Sequence, residues 1–231
     1  MIKLLRKLGY FPRLCVWELT LACNMNCRHC GSRAGRPRDD ELTPEEAQKL
    51  CHELAALKCR WLTLGGGEPL MNFEVVKKVV DYARSIEKQH NKNFRFTITT
   101  NGLLLTDDKI EYINREMSNV VLSLDGRKEI NDLLRVRTDG RGSYDRIVPN
   151  YQKLVSTRGD KDYYVRGTFT THNLDFSKDV LHMAELGFDQ LSIEPVVSDE
   201  KLDYSLKEKD LPSVFEEYDR LANLLIQRRK E

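Results

Sequence analysis

The sequence predicts an α/β protein with parallel strands, and three observations lead to that prediction. Segments typical of strands and segments typical of amphipathic helices alternate six times along the 231 residues. A helix separates each strand from the next, which indicates parallel pairing through helical crossovers rather than hairpins. The residue clusters with unusual chemistry all follow directly after a predicted strand. Two architectures agree with this pattern: an open doubly wound sheet, and a barrel with six of the eight usual units.

The predicted strands are short runs rich in apolar, β-branched or aromatic residues. They cover residues 14–21, 61–64, 94–99, 119–124, 162–170 and 190–194. The first helix has the clearest start signal, because Thr43 suits the N-cap, Pro44 the first helical position, and Glu46 completes a capping box. The later helices are predicted over residues 73–86, 107–117, 143–157, 174–186 and 210–229. Residues 125–142, which are charged and contain three glycines, are predicted as a long connection.

Composition limits the classes of function. Apolar residues make up 40% of the chain and charged residues 32%, and the net charge is +1. A near-neutral chain gives no electrostatic reason to expect a nucleic-acid partner. Residues 1–13 lack the apolar segment of a signal peptide, and no apolar run is long enough to span a membrane. We therefore predict a cytoplasmic protein with a lead-in at residues 1–13 and one domain over residues 14–231.

Three cysteines lie close together directly after the first strand. Cys23, Cys27 and Cys30 have the spacing C-x3-C-x2-C. A structural zinc site takes four ligands, and His29 is the nearby candidate for a fourth. Three thiolates suit a cubane iron–sulfur cluster that keeps one iron open to a small molecule. The isolated Cys51 and Cys59 are interpreted as buried apolar residues.

A glycine run followed by an acidic residue comes directly after the second strand. The segment is Gly65-Gly66-Gly67-Glu68-Pro69. A plain turn or a phosphate cradle would also contain glycines, but Glu68 places negative charge where a phosphate would bind. Glycines leave backbone carbonyls open to an ammonium group, so the pairing of this segment with the cysteines indicates a small-molecule site.

The cysteine spacing together with Gly-Gly-Glu-Pro resembles the radical S-adenosylmethionine (SAM) superfamily, and the resemblance extends from Val16 to about Glu217. It implies a partial TIM barrel, (β/α)6. It also implies that Cys23, Cys27 and Cys30 hold a [4Fe–4S] cluster whose open iron is chelated by SAM. The implied activity is reductive cleavage of SAM to a 5′-deoxyadenosyl radical that abstracts hydrogen from a substrate.

The resemblance further implies which residues contact SAM. Gly66, Gly67 and Glu68 would meet its amino group, and Ser123 would contact SAM as well. Arg135, or alternatively Arg137, would bind its carboxylate, which guanidinium recognises well. The resemblance implies that His29 and Ile193 contact the adenine. His29 stands where the family has an aromatic residue, and Ile193 is an apolar residue of the sixth strand. Plainer interpretations stay open, namely a strand-end hydroxyl for Ser123, a surface position for Arg135 and core packing for Ile193.

The fifth and sixth predicted strands contribute further candidates. Arg166, Thr168 and Thr170 share one face by period-two alternation. If that face lines the barrel, Arg166 is a candidate contact for SAM or substrate, and Glu194 on the sixth strand is a similar candidate.

Longer motifs resemble maturases that form thioether crosslinks in six-cysteine peptides, and also anaerobic sulfatase-maturing enzymes. This implies a ribosomally made peptide as substrate and an electron donor such as flavodoxin or ferredoxin. Formylglycine formation on a sulfatase, another peptide modification, and a non-catalytic zinc- or cluster-binding interaction domain remain alternatives. These maturases carry a cysteine-rich C-terminal SPASM extension. No cysteine follows Cys59 here, so we expect that extension to be absent.

Overall fold

The computed structural model describes residues 13–37, 41, 43–57 and 59–228. In that part of the chain, six strands alternate with helices. The strands are β1 (Leu14–Thr20), β2 (Trp61–Gly66), β3 (Arg95–Thr100), β4 (Asn119–Ser123), β5 (Asp162–Phe169) and β6 (Leu191–Pro195). The α-helices are α1 (Pro44–Ala55), α2 (Phe73–His90), α3 (Asp107–Glu116), α4 (Lys128–Leu134), α5 (Tyr144–Ser156), α6 (Ser177–Glu185) and α7 (Leu211–Arg228). Two short 3₁₀ helices span Pro69–Asn72 and Glu208–Asp210.

All six strands form one parallel sheet in which neighbours in sequence are neighbours in space. The order runs from β1 to β6 without a reversal. A doubly wound sheet would reverse its strand order at a switch point, so that alternative is excluded. β1 and β6 form the two edges of an open sheet, which confirms the predicted (β/α)6 partial barrel.

The hydrophobic core lies between the sheet and its helices. On α2, Val76, Val79, Val80 and Ala83 have no exposed surface and follow the spacing of one helix face. Burial of each valine contributes about 1.5–3 kcal/mol to folding. Cys51 and Cys59 are also fully buried, as expected.

The predicted start of α1 is confirmed in detail. The Thr43 hydroxyl accepts a hydrogen bond from the Glu46 backbone N–H at 3.2 Å, and the Glu46 carboxylate accepts one from the Thr43 N–H at 3.0 Å. Such a cap contributes about 1 kcal/mol to helix stability. Pro44 occupies the first turn, as predicted.

The structure corrects the sequence-based prediction in three places. The connection over residues 125–142 contains α4, which is too short to show helical periodicity and whose Asn131 bonds to the Ser143 hydroxyl at 3.0 Å. Helix α6 begins at Ser177 rather than residue 174, because the Asn173 side chain accepts from the Thr170 N–H and stabilises a turn. Strand β2 continues through Gly66 instead of ending before the glycines.

Two predicted regions lie partly or wholly outside the described residues: the lead-in, of which only residue 13 is described, and the end of the last helix at residue 229. Across the part that is described, no helix has both the length and the apolar character that crossing a bilayer requires.

Candidate functional site

A cavity of about 380 Å³ opens at the carboxyl ends of the strands. This size falls within the range of small-molecule sites. The segments that follow β1 to β4 and the ends of β5 and β6 all contribute to its wall. The lining residues include Cys23, Cys27, His29, Cys30, Gly66, Gly67, Thr100, Asn101, Ser123, Arg135, Arg166, Thr168, Glu194 and Val197.

The loop that carries the three cysteines is held on one side by the chain after α4. The Asn26 N–H donates to the Val136 carbonyl at 2.7 Å, and the Arg28 N–H donates to the Leu134 carbonyl at 2.9 Å. All three cysteines are free thiols of intermediate burial. The predicted ligands therefore share one cavity wall.

The protein surroundings disfavour ionisation of two of these thiols, Cys23 and Cys27. Burial raises the pKa of Cys27 to about 11, although Arg135 acts in the opposite direction. Burial also raises the pKa of Cys23, so both thiols favour the protonated form. A metal ligand must be a thiolate, so these groups need the positive charge of bound iron.

The donor set fits a cluster better than a single ion. Within the described residues, no three His, Cys, Asp or Glu side chains converge as the ligands of one metal ion would. In a cubane each thiolate binds a different iron, so the three sulfurs need only surround a shared space. Cys23, Cys27 and Cys30 meet that requirement, because all three border the same cavity.

Gly66 and Gly67 permit close contact between the end of β2 and the chain that leads to Cys23. A Cβ on Gly66 would lie 2.3 Å from the Thr20 carbonyl oxygen, and one on Gly67 would lie 2.3 Å from that of Ala22. Gly66 also has a φ of 115°, a backbone angle that residues other than glycine rarely adopt. The Gly67 N–H donates to the Thr20 carbonyl at 2.7 Å. The two motifs are therefore fixed against each other by backbone contact.

Glu68 lies differently from the expectation. Its side chain is fully buried and accepts hydrogen bonds from the Leu70 N–H, the Thr100 hydroxyl and the Asn101 N–H. Burial raises its pKa to about 7, while these donors act in the opposite direction. Glu68 is not among the residues that line the cavity. Its carboxylate joins the ends of β2 and β3 instead of facing a ligand.

Ser123, Arg135 and His29 all border the cavity, and their contact with SAM stays a prediction. The Arg135 side chain is 11% exposed, and its Nε is buried with no hydrogen-bond partner among the described residues. Burial lowers the pKa of His29 to about 4, against the opposing effect of Asp125, so the imidazole is neutral at neutral pH. The site thus combines a cation, a hydroxyl and an uncharged ring.

Ile193 points away from the cavity. It packs against the cluster of Phe169, Phe176 and Val214 on the helix side of the sheet. Its neighbour Glu194 lines the cavity, as the alternation of side chains along a strand requires. The expected adenine contact of Ile193 does not agree with this placement, and core packing accounts for the residue.

Sequence reasoning missed two polar residues that support the site. The Asn101 amide lies 3.6 Å from the Cys23 sulfur and 2.8 Å from the Asn24 side-chain oxygen. The Asp125 carboxylate accepts from Arg135. Both residues lie within two positions of the end of a strand, and that position is the signal that the sequence offers. Arg166 and Thr168 do line the cavity, as their shared strand face suggested.

Comparison with known proteins gives one family and several relatives. Residues 17–172, more than half of the chain, match the radical SAM superfamily. The mycofactocin maturase MftC of Mycolicibacterium smegmatis is 32% identical over 166 residues, which are 71% of this chain and 39% of that protein. The AdoMet-dependent heme synthase of Methanosarcina barkeri is 31% identical over 183 residues, which are 76% of this chain and 48% of that protein.

A solved structure described as native anSMEcpe with bound AdoMet and Kp18Cys peptide has the same fold. The TM-score is 0.75 at 21% identity, over 89% of this chain and 58% of that one. The chain thus spans less than half the length of the two curated relatives and little more than half of this structural neighbour.

Proposed function

The chain belongs to the radical SAM superfamily, whose cofactors are a [4Fe–4S] cluster and SAM, and on that premise we propose that it modifies a peptide by radical chemistry. When bound, the cluster would supply the electron for reductive cleavage of SAM, which is the radical chemistry that removes hydrogen from a substrate. One observation carries the proposal: Cys23, Cys27 and Cys30 line the same cavity as Ser123 and Arg135.

Different residues of the chain would bind the two cofactors. The three thiols would hold the cluster and leave one iron open. Arg135 offers buried N–H donors that fit the carboxylate of SAM, with the Ser123 hydroxyl beside them. The backbone of Gly66 and Gly67 borders the cavity where the amino group would bind, and the neutral His29 ring could pack against the adenine.

A peptide substrate is supported by relatives rather than by contacts in this chain. One relative is a maturase, and the anSMEcpe structure holds a peptide. Thioether formation by cysteine is the finer proposal, with flavodoxin or ferredoxin as electron donor. A tetrapyrrole substrate is the second candidate, because the heme synthase relative matches a larger share of this chain than the maturase does. Formylglycine formation remains a third outcome to be distinguished.

Cofactor binding is tested by anaerobic reconstitution of the Cys27→Ala variant. Wild type should hold about four irons per chain, whereas the variant should lose most iron and form no 5′-deoxyadenosine from SAM and dithionite. Cys51→Ala is the matched control, because Cys51 is fully buried in the core and should not affect iron content. A wild-type protein that binds one zinc and no cluster would contradict the proposal.

Substrate class is tested by comparing two probes with the reconstituted wild type. The Kp18Cys peptide should stimulate 5′-deoxyadenosine formation, and iron-coproporphyrin should not. The mass of the peptide distinguishes two products. Thioether formation removes two hydrogen atoms and the free thiol, whereas formylglycine formation removes the sulfur of the cysteine. Stimulation by the porphyrin alone would replace the peptide proposal with the tetrapyrrole one.

A further inference from the structure

Asp125 is a carboxylate buried behind the cavity wall, two residues beyond the end of β4. Its side chain has no exposed surface, and it is not among the residues that line the cavity. Oδ1 accepts from Arg135 Nη2 at 2.8 Å and from the Thr168 backbone N–H at 2.9 Å. Oδ2 lies 3.4 Å from His29 Nε2. One carboxylate therefore contacts the chain after α4, strand β5 and the cysteine loop.

The backbone contact alone does not explain a charged residue at this position. An asparagine could accept the Thr168 N–H equally well, and a buried charge is costly unless it is paired. Oδ2 has no hydrogen-bond partner in the described part of the chain. The interaction that requires the negative charge is the one with the Arg135 guanidinium.

This contact fixes the direction of the guanidinium. Arg135 Nη2 is bound to Asp125, while Nε is buried without a partner in the described part of the chain and the side chain borders the cavity. A free arginine side chain would lose rotamer freedom when it binds an anion, and a side chain that is already fixed does not. Asp125 thereby leaves the remaining donors available to a ligand carboxylate.

We propose that Asp125 is a positioning residue that orients Arg135 toward the carboxylate of SAM. The inference rests on the proposed function. Asp125 also weakens the attraction between Arg135 and the SAM carboxylate, because its negative charge offsets the positive charge of the guanidinium. The proposal requires that orientation outweighs this loss of charge.

The test is Asp125→Asn in the reconstituted enzyme. Loss of the negative charge that holds the guanidinium leaves only a neutral hydrogen bond, which predicts about a tenfold rise in the dissociation constant for SAM. Binding is read from the change that SAM causes in the EPR spectrum of the reduced cluster. The KM for SAM should rise in parallel, while kcat at saturating SAM and iron content remain close to wild type. Should the asparagine variant fail to fold, Asp125→Ser removes the same charge with a smaller side chain.

The matched control is Asp179→Asn. Asp179 is equally buried and is paired with Arg127 at 2.8 Å, and neither residue lines the cavity. The control should lose stability without a change in SAM affinity. The Arg135→Lys variant gives a second check: if Asp125 acts through Arg135, adding Asp125→Asn to that variant should weaken SAM binding little further.

The two proposals fail in different ways. A wild type that binds SAM with the same affinity as Asp125→Asn, or less tightly, overturns the positioning role and leaves the proposed function intact. The same conclusion follows if Asp179→Asn weakens SAM binding equally. A reconstituted wild type that does not bind SAM at all overturns the proposed function and the role of Asp125 with it.

Discussion

Glu68 illustrates how a charged residue in a ligand-binding motif can stabilise the scaffold. The Thr100 hydroxyl donates to its Oε1 at 2.8 Å, and the Asn101 N–H donates to its Oε2 at 2.7 Å. Asn101 in turn contacts Cys23. The carboxylate thus stabilises the segment after β3 that borders one of the predicted cluster ligands.

We predict that Glu68→Gln lowers the free energy of unfolding by about 1–3 kcal/mol. Glutamine has one acceptor oxygen, and its amide group is a donor, so at least one of the buried donors loses its partner. Urea unfolding of the purified protein measures the effect. Glu74→Gln is the control, since Glu74 is 76% exposed and pairs with Lys77 on the helix surface at 2.6 Å. Equal effects of the two substitutions would contradict the prediction.

At the scale of elements, the end of β2 lies very close to the chain that follows β1. β1 and β2 are in register from Leu14 with Trp61 onward, and the register shifts between Glu18 and Thr20. Beyond that irregularity the segments that follow β1 and end β2 approach so closely that only glycine fits at positions 66 and 67. The position of the cysteine loop therefore depends on the absence of two side chains in another element.

We predict that Gly67→Ala reduces iron incorporation, because its Cβ would overlap the Ala22 carbonyl and displace the chain just before Cys23. The backbone shift would cost about 1–3 kcal/mol. Iron per chain after reconstitution and the melting temperature are the measurements. Gly65→Ala is the matched control in the same strand, since no atom lies within 4 Å of its added Cβ. Normal iron content in Gly67→Ala would show that the loop tolerates the shift.

Over the whole molecule, contacts between loops connect the two edges of the open sheet. The loop after β6 reaches the cysteine loop after β1: Arg28 binds the Asp203 carboxylate at 2.7 and 2.9 Å, and the Tyr204 hydroxyl donates to the Arg28 carbonyl at 2.7 Å. Arg28 lies between two of the predicted cluster ligands. The cysteine loop is therefore held in part by the loop that follows the last strand.

We predict that Tyr204→Phe increases amide hydrogen exchange in the cysteine loop. Removal of a hydrogen bond worth about 1 kcal/mol should raise local opening roughly fivefold. Exchange measured by mass spectrometry on peptides covering residues 24–30 reports the change. Tyr218→Phe is the control, because the Tyr218 ring packs against Phe169 and Phe176 far along the chain from that loop. Unchanged exchange would show that the chain after α4 is sufficient to hold the loop.

The amino-acid sequence by itself determined the features that depend on neighbours along the chain. The capping box of Thr43 and Glu46 joins residues three positions apart. The strands follow from composition, and the spacing of Cys23, Cys27 and Cys30 predicts the cluster ligands. Parallel order also follows, because each strand is separated from the next by a helix.

Only the tertiary structure decided which way individual side chains face and what they contact across the sheet. The Glu68 carboxylate accepts hydrogen bonds from the end of β3, Ile193 packs on the helix side of the sheet, and Asp125 accepts a hydrogen bond from Arg135. Helix α4 is too short for its periodicity to show in the sequence. Such contacts join residues that are far apart in sequence. Neither the periodicity of a segment nor the spacing of a motif predicts how close such residues lie in the folded protein.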